Sequence, residues 1–460
     1  MTEPSPSKES GGGPDRVDEF VRRPHRAVWI VAAPMMVGFS VHAVYAVVDA
    51  AFIGQLGHEA LAAATYVGAL FFVAISLTNG LATGVTALVA RAFGRRDRRR
   101  AEAVASGGLG LGLILGVSLA TAGLAGGRFF LPLLGAEGLA AELAWEYFEP
   151  ICFVVPLFFV TAALRSVLAG EGDARTPMVI MVAGTLVNLL LDPLLIFSLG
   201  LGIRGAAYAT AAAQLFALAL FVYVVLIRRR TIARFRLAAV LPRRDVTGPV
   251  VSLGLPATAG HLVMAVGMAL NNRVLAEFGQ RTVAGYGAGN KIDMIVALPV
   301  LGLSTAAVTV VGIFSGAGRA DLVRRTTLYT YGWALAAASL LGVGAYLVSG
   351  SIVGLFTDDA EAISVGTTYL AYAVFVYPLM SVGMASGRIL QGLGRGMPTL
   401  AITSLRVLGI SIPLAYAGVY LGEAPVEWVW ISFIIGALVA DVLAVLWVRR
   451  AVWKKNPNTG

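Results

Sequence analysis

Charged residues form only 13% of this 460-residue chain, against roughly 25% in an ordinary soluble domain. A soluble protein of this length would divide into about three domains, and so few charges cannot coat them. Cysteine is nearly absent: Cys152, inside an apolar block, stands alone, which excludes an intramolecular disulfide framework and a Cys-x-x-Cys metal site. Four histidines scattered singly provide no histidine-based metal centre. The sequence also lacks the clustered histidines, paired loop acids or nucleophile with a base that a membrane enzyme needs, and it has no D-D-x-x-D-like run. It therefore reads as a non-enzyme without a cofactor.

What the chain has is apolar length. Hydrophobic residues make up 58%, mean hydropathy is +0.80, and the apolar residues come in blocks long enough for a bilayer, which needs about 20. Twelve spans are expected: 27–53, 61–90, 101–125, 145–170, 178–199, 206–227, 249–275, 283–312, 326–350, 364–387, 398–421 and 427–448. Long blocks without two-residue alternation satisfy their backbone as helices rather than as a barrel. The fold class is thus an all-α polytopic membrane protein. The first block, about 27 residues long, exceeds the roughly 7–15 residues of a signal-peptide core and reads as the first span.

The net charge of +9 records topology. With both termini placed in the cytoplasm, the inner segments hold 28 of the 35 Lys and Arg, and the outer loops carry Glu137, Glu142, Asp358, Asp359 and Glu361. This is the positive-inside pattern of a multi-pass plasma (inner) membrane protein. Basic runs in short loops, such as Arg95–Arg100 and Arg228–Arg244, lack the one-sided, aromatic-spaced layout of a nucleic-acid surface. Expected partners are small organic substrates and membrane lipid, with the chain acting as a monomer.

Displaced by about 222 residues, the chain matches itself. Pro34 falls on Pro256, Asp49 with Leu56-Gly57 falls near Asn271 with Phe278-Gly279, and Gly94-Arg-Arg-Asp97 matches Gly318-Arg-Ala-Asp321. Leu168-Ala-Gly-Glu-Gly172 with Pro177 corresponds to Leu390-Gln-Gly-Leu-Gly394 with Pro398. Six spans return the chain to its starting side, so the repeats are parallel, related by an axis along the membrane normal, and enclose a cleft that rocking exposes to either side. Residues 1–26 read as a disordered cytoplasmic N-terminus and 27–227 as the first lobe. The cytoplasmic linker is 228–248, the second lobe 249–448 and the cytoplasmic tail 449–460.

Ionisable groups at membrane depth need a reason, since each costs about 2.5–3.5 kcal/mol on insertion scales. Asp49 late in span one, Asp192 late in span five and Thr210 early in span six lie at similar depth. On span five, Met181, Thr185, Asn188 and Asp192 form one helical stripe, and His42, Tyr45 and Asp49 do so on span one. Two carboxylates converging in a dry pocket either hold a cation between them or take up a proton. The plainer alternative makes each acid a buried packing group, and Thr210 interhelical glue. The second lobe does not copy the pair, because Asp49 aligns with Asn271 and Asp192 with about Pro413. Asp293 and Lys291 face apart, with Arg273 or another helix as Asp293's expected partner. Arg406 and Asp441 read as a mutual pair or as snorkelling groups. Pro34 removes the helical donor to Ile30, and Pro193 the donor to Leu189, which makes Pro34 a hinge candidate.

With these residues in hand, the chain resembles the multidrug and toxic compound extrusion (MATE) family. The resemblance rests on P-x14-D-x-x-F-I-G-Q-L-G-x-x-A-L-A-A from Pro34, G-E-G-D-A-R-T-P from Gly170, L-V-N-L-L-L-D-P-L-L-I-F from Leu186 and G-I-R-G-A-A-Y-A-T from Gly202, and covers residues 25–450. The N-x-x-x-D of span five resembles the branch named after a DNA-damage-inducible protein. That implies a cation site for H⁺ or Na⁺ at Asp49, Asn188, Asp192 and Thr210, protonation near Asp49 accompanied by bending at Pro34, and organic-cation substrates. The substrate-cleft candidates are His42, Tyr45, Met181, Thr185 and Asn271, although His42 departs from the amide expected there. The expected activity is efflux of lipophilic, cationic compounds by antiport. A lipid or lipid-linked oligosaccharide flippase of similar architecture and a major-facilitator-type transporter are the alternatives.

Overall fold

The computed structural model describes residues 14–228, 231, 233 and 243–453. Among them there are helices and no strands, and twelve helices are long and apolar enough to cross a membrane. The first lobe comprises α2 (Pro24–Gly54), α3 (His58–Gly94), α4 (Arg98–Leu133), α5 (Gly138–Gly170), α6 (Arg175–Pro193) and α7 (Gly202–Val222). The second comprises α8 (Arg244–Ala276), α9 (Gln280–Gly316), α10 (Ala320–Leu347), the short α11 (Ser349–Val353), α12 (Ala360–Gly392), α13 (Met397–Ser404), α14 (Ile412–Tyr416) and α15 (Glu427–Trp453). Ahead of both lies α1 (Pro14–Arg22).

Helices outrun the apolar blocks because caps, not hydrophobicity, end them. Asp97 caps α4 by accepting from Arg100 N at 2.9 Å, and the turn before it carries Arg96 at φ 57°. Asp173, in the G-E-G-D motif, accepts from Thr176 N at 3.1 Å and the Thr176 hydroxyl at 2.8 Å, opening α6. Three expectations are corrected here. Residues 14–22 are helical rather than disordered, since Val17 and Phe20 are buried one turn apart. The expected linker loses residues 244–248 to α8, and α15 runs to Trp453, past the expected end at 448. Residues 229, 230, 232 and 234–242 of the linker lie outside the described residues.

Span five does not stay α-helical. After Pro193 the chain widens into a π-helical turn, Leu194–Ser198, and span eleven contains two such segments, Leu405–Ser411 and Ala417–Leu421. Such widenings inside helices recur at working positions.

The lobes meet through α2 against α9, α3 against α8 and α3 against α9. The first two contacts are one another's counterparts under the repeat, as an axis along the membrane normal requires. Near the side bearing the basic loops, hereafter the basic side, both lobes share a core: Val28, Val31, Ala90 and Phe93 pack with Leu303, Val310 and Phe314. Leu81 and Val85 likewise join Val246 and Val250. Away from that side each lobe has its own core, Ile53, Val67, Phe148 and Ile196 in the first, Val274, Tyr286, Leu370 and Trp430 in the second. The cross-lobe bonds obey the same division: Trp29 Nε1 donates to Tyr329 (3.0 Å) and Thr258 to Ser76 O (3.1 Å). The wedge between the lobes is closed on the basic side and open on the other.

Glycine makes that closure possible at Gly80 and Gly254. A Cβ on Gly80 would stand 2.6 Å from Gly254 O, and one on Gly254 2.7 Å from Gly80 O. Only residues without a side chain let α3 and α8 approach so closely.

Candidate functional site

The site grows from the parallel packing of α2 on α6. Near the basic end Gly38 leaves the space that the Met181 methyl group fills. Eleven residues further along each helix, about 16 Å at 1.5 Å per residue, come Asp49 and Asp192. Equal spacing keeps these two in register as well, and their charges act on one another. Asp192 is fully buried and Asn188, one turn earlier, is 3% exposed.

Five polar atoms at this crossing lack a hydrogen-bond partner: Asp49 Oδ1, both side-chain atoms of Asn188 and both carboxylate oxygens of Asp192. Leaving a buried polar atom unpaired costs about 1–3 kcal/mol, and four of these five are oxygens. Buried oxygens without partners are the kind of ligand a hard cation takes. A proton shared by the acids would relieve the same deficit. Tyr45 on α2 stands between Asp49 and Thr210 of α7, within polar reach of both. The structure thus brings all four expected coupling residues together. Among the described residues there is no group of three or more His, Cys, Asp or Glu able to hold a metal.

Tyr147 of α5 completes the wall, near enough to feel the charge of both Asp49 and Asp192. Sequence reading did not select it, because a tyrosine at the far end of a span is also ordinary interface anchoring. Its depth, ten residues into α5, was the available signal.

The cleft candidates divide. His42 is exposed, with its ring 5.9 Å from Tyr45, and Thr185 is half-buried on the α6 stripe. Met181 packs on Gly38, and Asn271 is buried in the second lobe beside Tyr286, 3% exposed and remote from the cation-site residues. Pro34 lies half-buried inside an uninterrupted α2.

Of the two partners expected for Asp293, the structure gives another helix rather than the exposed Arg273: it accepts from Tyr377 at 2.5 Å and from Tyr369, both on α12, and from Asn290 of its own helix at 3.1 Å. Lys291 points elsewhere, its Nζ 4.4 Å from the centre of the Phe356 ring. Arg406 and Asp441 form no ion pair: Arg406 reaches Met264 Sδ at 3.3 Å, while both Asp441 oxygens are buried without a hydrogen bond. The π-helical segment Leu405–Ser411 carries Arg406 and alters its bearing relative to a regular helix.

Comparison with known proteins gives consistent relatives. The family model MatE matches residues 34–194 and 256–417, one match to each repeat. A Shewanella oneidensis protein named FAD transporter is 26% identical over 86% of this chain and 88% of its own. The Bacillus subtilis protein named probable multidrug resistance protein YoeA is 23% identical, covering 94% and 95%. Among solved structures, one titled as the outward-facing conformation of a multidrug resistance MATE family transporter superposes with TM-score 0.91 at 30% identity, covering 96% of this chain and 99% of that one.

Proposed function

The chain belongs to the MatE family of secondary transporters, and from that premise we propose that it exports lipophilic organic compounds, cationic or zwitterionic, by antiport with H⁺ or Na⁺ through the inter-lobe cleft. The observation that carries the reading is the convergence of Asp49, Asn188 and Asp192 with their polar atoms unpartnered. Thr210 and Tyr45 close the ring around them.

The two acids supply a switch. While both are charged and unfilled, their repulsion in a buried site is relieved only by a positive charge, either the coupling ion or a cationic group of the substrate. Ion entry from the open side neutralises them and removes the attraction that held the substrate. Coupling requires that ion and substrate stabilise different arrangements of the lobes, because a ligand with equal affinity for both shifts nothing. Pro34, which leaves the Ile30 carbonyl without its helical donor, is the point on α2 where bending follows.

The test is flux into proteoliposomes under separately imposed H⁺ and Na⁺ gradients, with Asp49→Asn and Asp192→Asn. Each variant should lose gradient-driven flux while keeping wild-type expression and thermal stability. Undiminished flux in both would overturn the assignment, and the gradient that drives the parent identifies the ion.

A further inference from the structure

Intramembrane arginines need a counter-charge more than any other side chain, because guanidinium does not deprotonate. Arg165 of α5 and Arg388 of α12 both lie in spans, and neither has a carboxylate within ion-pair distance among the described residues. They occupy near-equivalent places in the repeat: Arg165 stands five residues before Gly170-Glu-Gly172, and Arg388 four before Gly392-Leu-Gly394.

One turn of α3 joins them. Thr83 accepts from Arg388 Nη1 at 3.3 Å, a bond across the lobes, and Thr86 donates to the backbone oxygen of Ser166, the neighbour of Arg165. Arg388 otherwise donates to the neutral Gln391 at 3.2 Å. Arg165 donates to no side chain or backbone oxygen among the described residues, and it remains half-buried rather than sealed. On the open side of this turn stand His42, near Arg165, and His261, near Arg388. Arg388 therefore lies at the seam between the lobes and Arg165 beside the same turn of α3, one from each lobe, with donor capacity left over.

We propose that Arg165 and Arg388 form an oxyanion-binding floor, so that the compound carried in this cleft bears a carboxylate, phosphate or sulfonate group. The assignment rests on reading the cleft as the substrate site and narrows the substrate from cationic or zwitterionic compounds to the zwitterions. Guanidinium forks match such groups with two parallel hydrogen bonds. Because the two forks come from different lobes, an oxyanion held by both favours the basic-side-closed arrangement over any in which the lobes part there. The same oxyanion chemistry belongs to a soluble compound and to a lipid headgroup, and the two sources differ in what displaces a probe.

The probe is inorganic sulfate. Thermal unfolding of the purified full chain in detergent is compared in sodium sulfate and sodium chloride at matched ionic strength, for the parent, Arg165→Gln, Arg388→Gln and the charge-keeping Arg165→Lys. Sulfate stabilises proteins generally by exclusion from their surfaces, so the reading is the excess increment in the parent. That excess should fall by at least half in each Gln variant and partly in Arg165→Lys, which keeps the charge without the fork. Equal increments in the parent and both Gln variants would overturn the proposal. In nanodiscs of phosphatidylcholine with and without phosphatidylglycerol, abolition of the excess by the anionic lipid assigns the floor to a headgroup, and its survival assigns it to a soluble anion. Loss of flux in Asp49→Asn leaves the sulfate increment unchanged, so failure of ion coupling and failure of this floor are separately visible.

Discussion

At the scale of single residues, charge placement divides into groups that finish helices and groups that have no finishing role. Asp359 belongs to the first. It lies just outside span ten and caps α12, accepting from Glu361 N at 2.9 Å and Ala362 N at 3.2 Å, with Arg281 Nε 3.0 Å away. The Ala362 and Glu361 donors, with Arg281 beside them, hold its carboxyl below the ordinary value of 3.8. A carboxyl lowered in the folded state stabilises above its unfolded pKa, and the contribution disappears as pH falls through the folded one. Asp359→Ala should therefore melt below the parent at pH 7, with the gap closing under about pH 4; melting curves at several pH values check this. Asp49 and Asp192 belong to the second class: Asp49 Oδ1 and both Asp192 oxygens have no hydrogen-bond partner among the described residues. Their types and depth were legible from sequence. That Tyr147 lies near enough to feel both charges was not, because α5 is distant along the chain and its rotation depends on packing.

At the scale of elements, the repeat explains why α3 and α8 touch where they do. Gly80 and Gly254 remove the side chains that would hold those helices apart, and Gly84 does the same against the Val250 carbonyl, 2.5 Å from where its Cβ would stand. Gly254→Val adds three carbons at this contact and should force the basic-side seam open. In a Cys152→Ser background, the buried Ala32 of α2 replaced by cysteine reports the change: maleimide labelling should speed up severalfold with Gly254→Val. Unchanged labelling would mean that α8 accommodates the side chain by shifting along α3. Span eleven shows the reverse limit of sequence reading. Its hydropathy marked the span, but its two π-helical segments, the first of which carries Arg406, arise from hydrogen-bond register, which apolar periodicity does not record.

For the whole molecule, the decisive feature is that the cores are shared on one side and separate on the other. The α1 helix adds to the shared side: Phe20 is 1% exposed in the core that contains Phe314 and Leu322, and Asp18 pairs with Arg96 at 2.7 Å. Phe20→Ala removes a buried aromatic ring, a change worth up to about 3–5 kcal/mol, and should weaken the closed basic side rather than either lobe's far core. The same Ala32→Cys labelling should accelerate, while in a separate Phe20→Ala chain that keeps its native cysteine, Cys152, buried in the first lobe's far core, stays protected. The sequence by itself determined the membrane class, the twelve spans, the duplication and the intramembrane acids, because hydrocarbon thickness and the cost of buried charge act on every span separately. Tertiary structure alone decided which side of the cleft is shut, that Asp293 is satisfied by tyrosines, and that Arg165 and Arg388 are left without acids among the described residues. Those outcomes depend on how helices rotate and cross, and rotation is set by side chains from segments far apart in the chain.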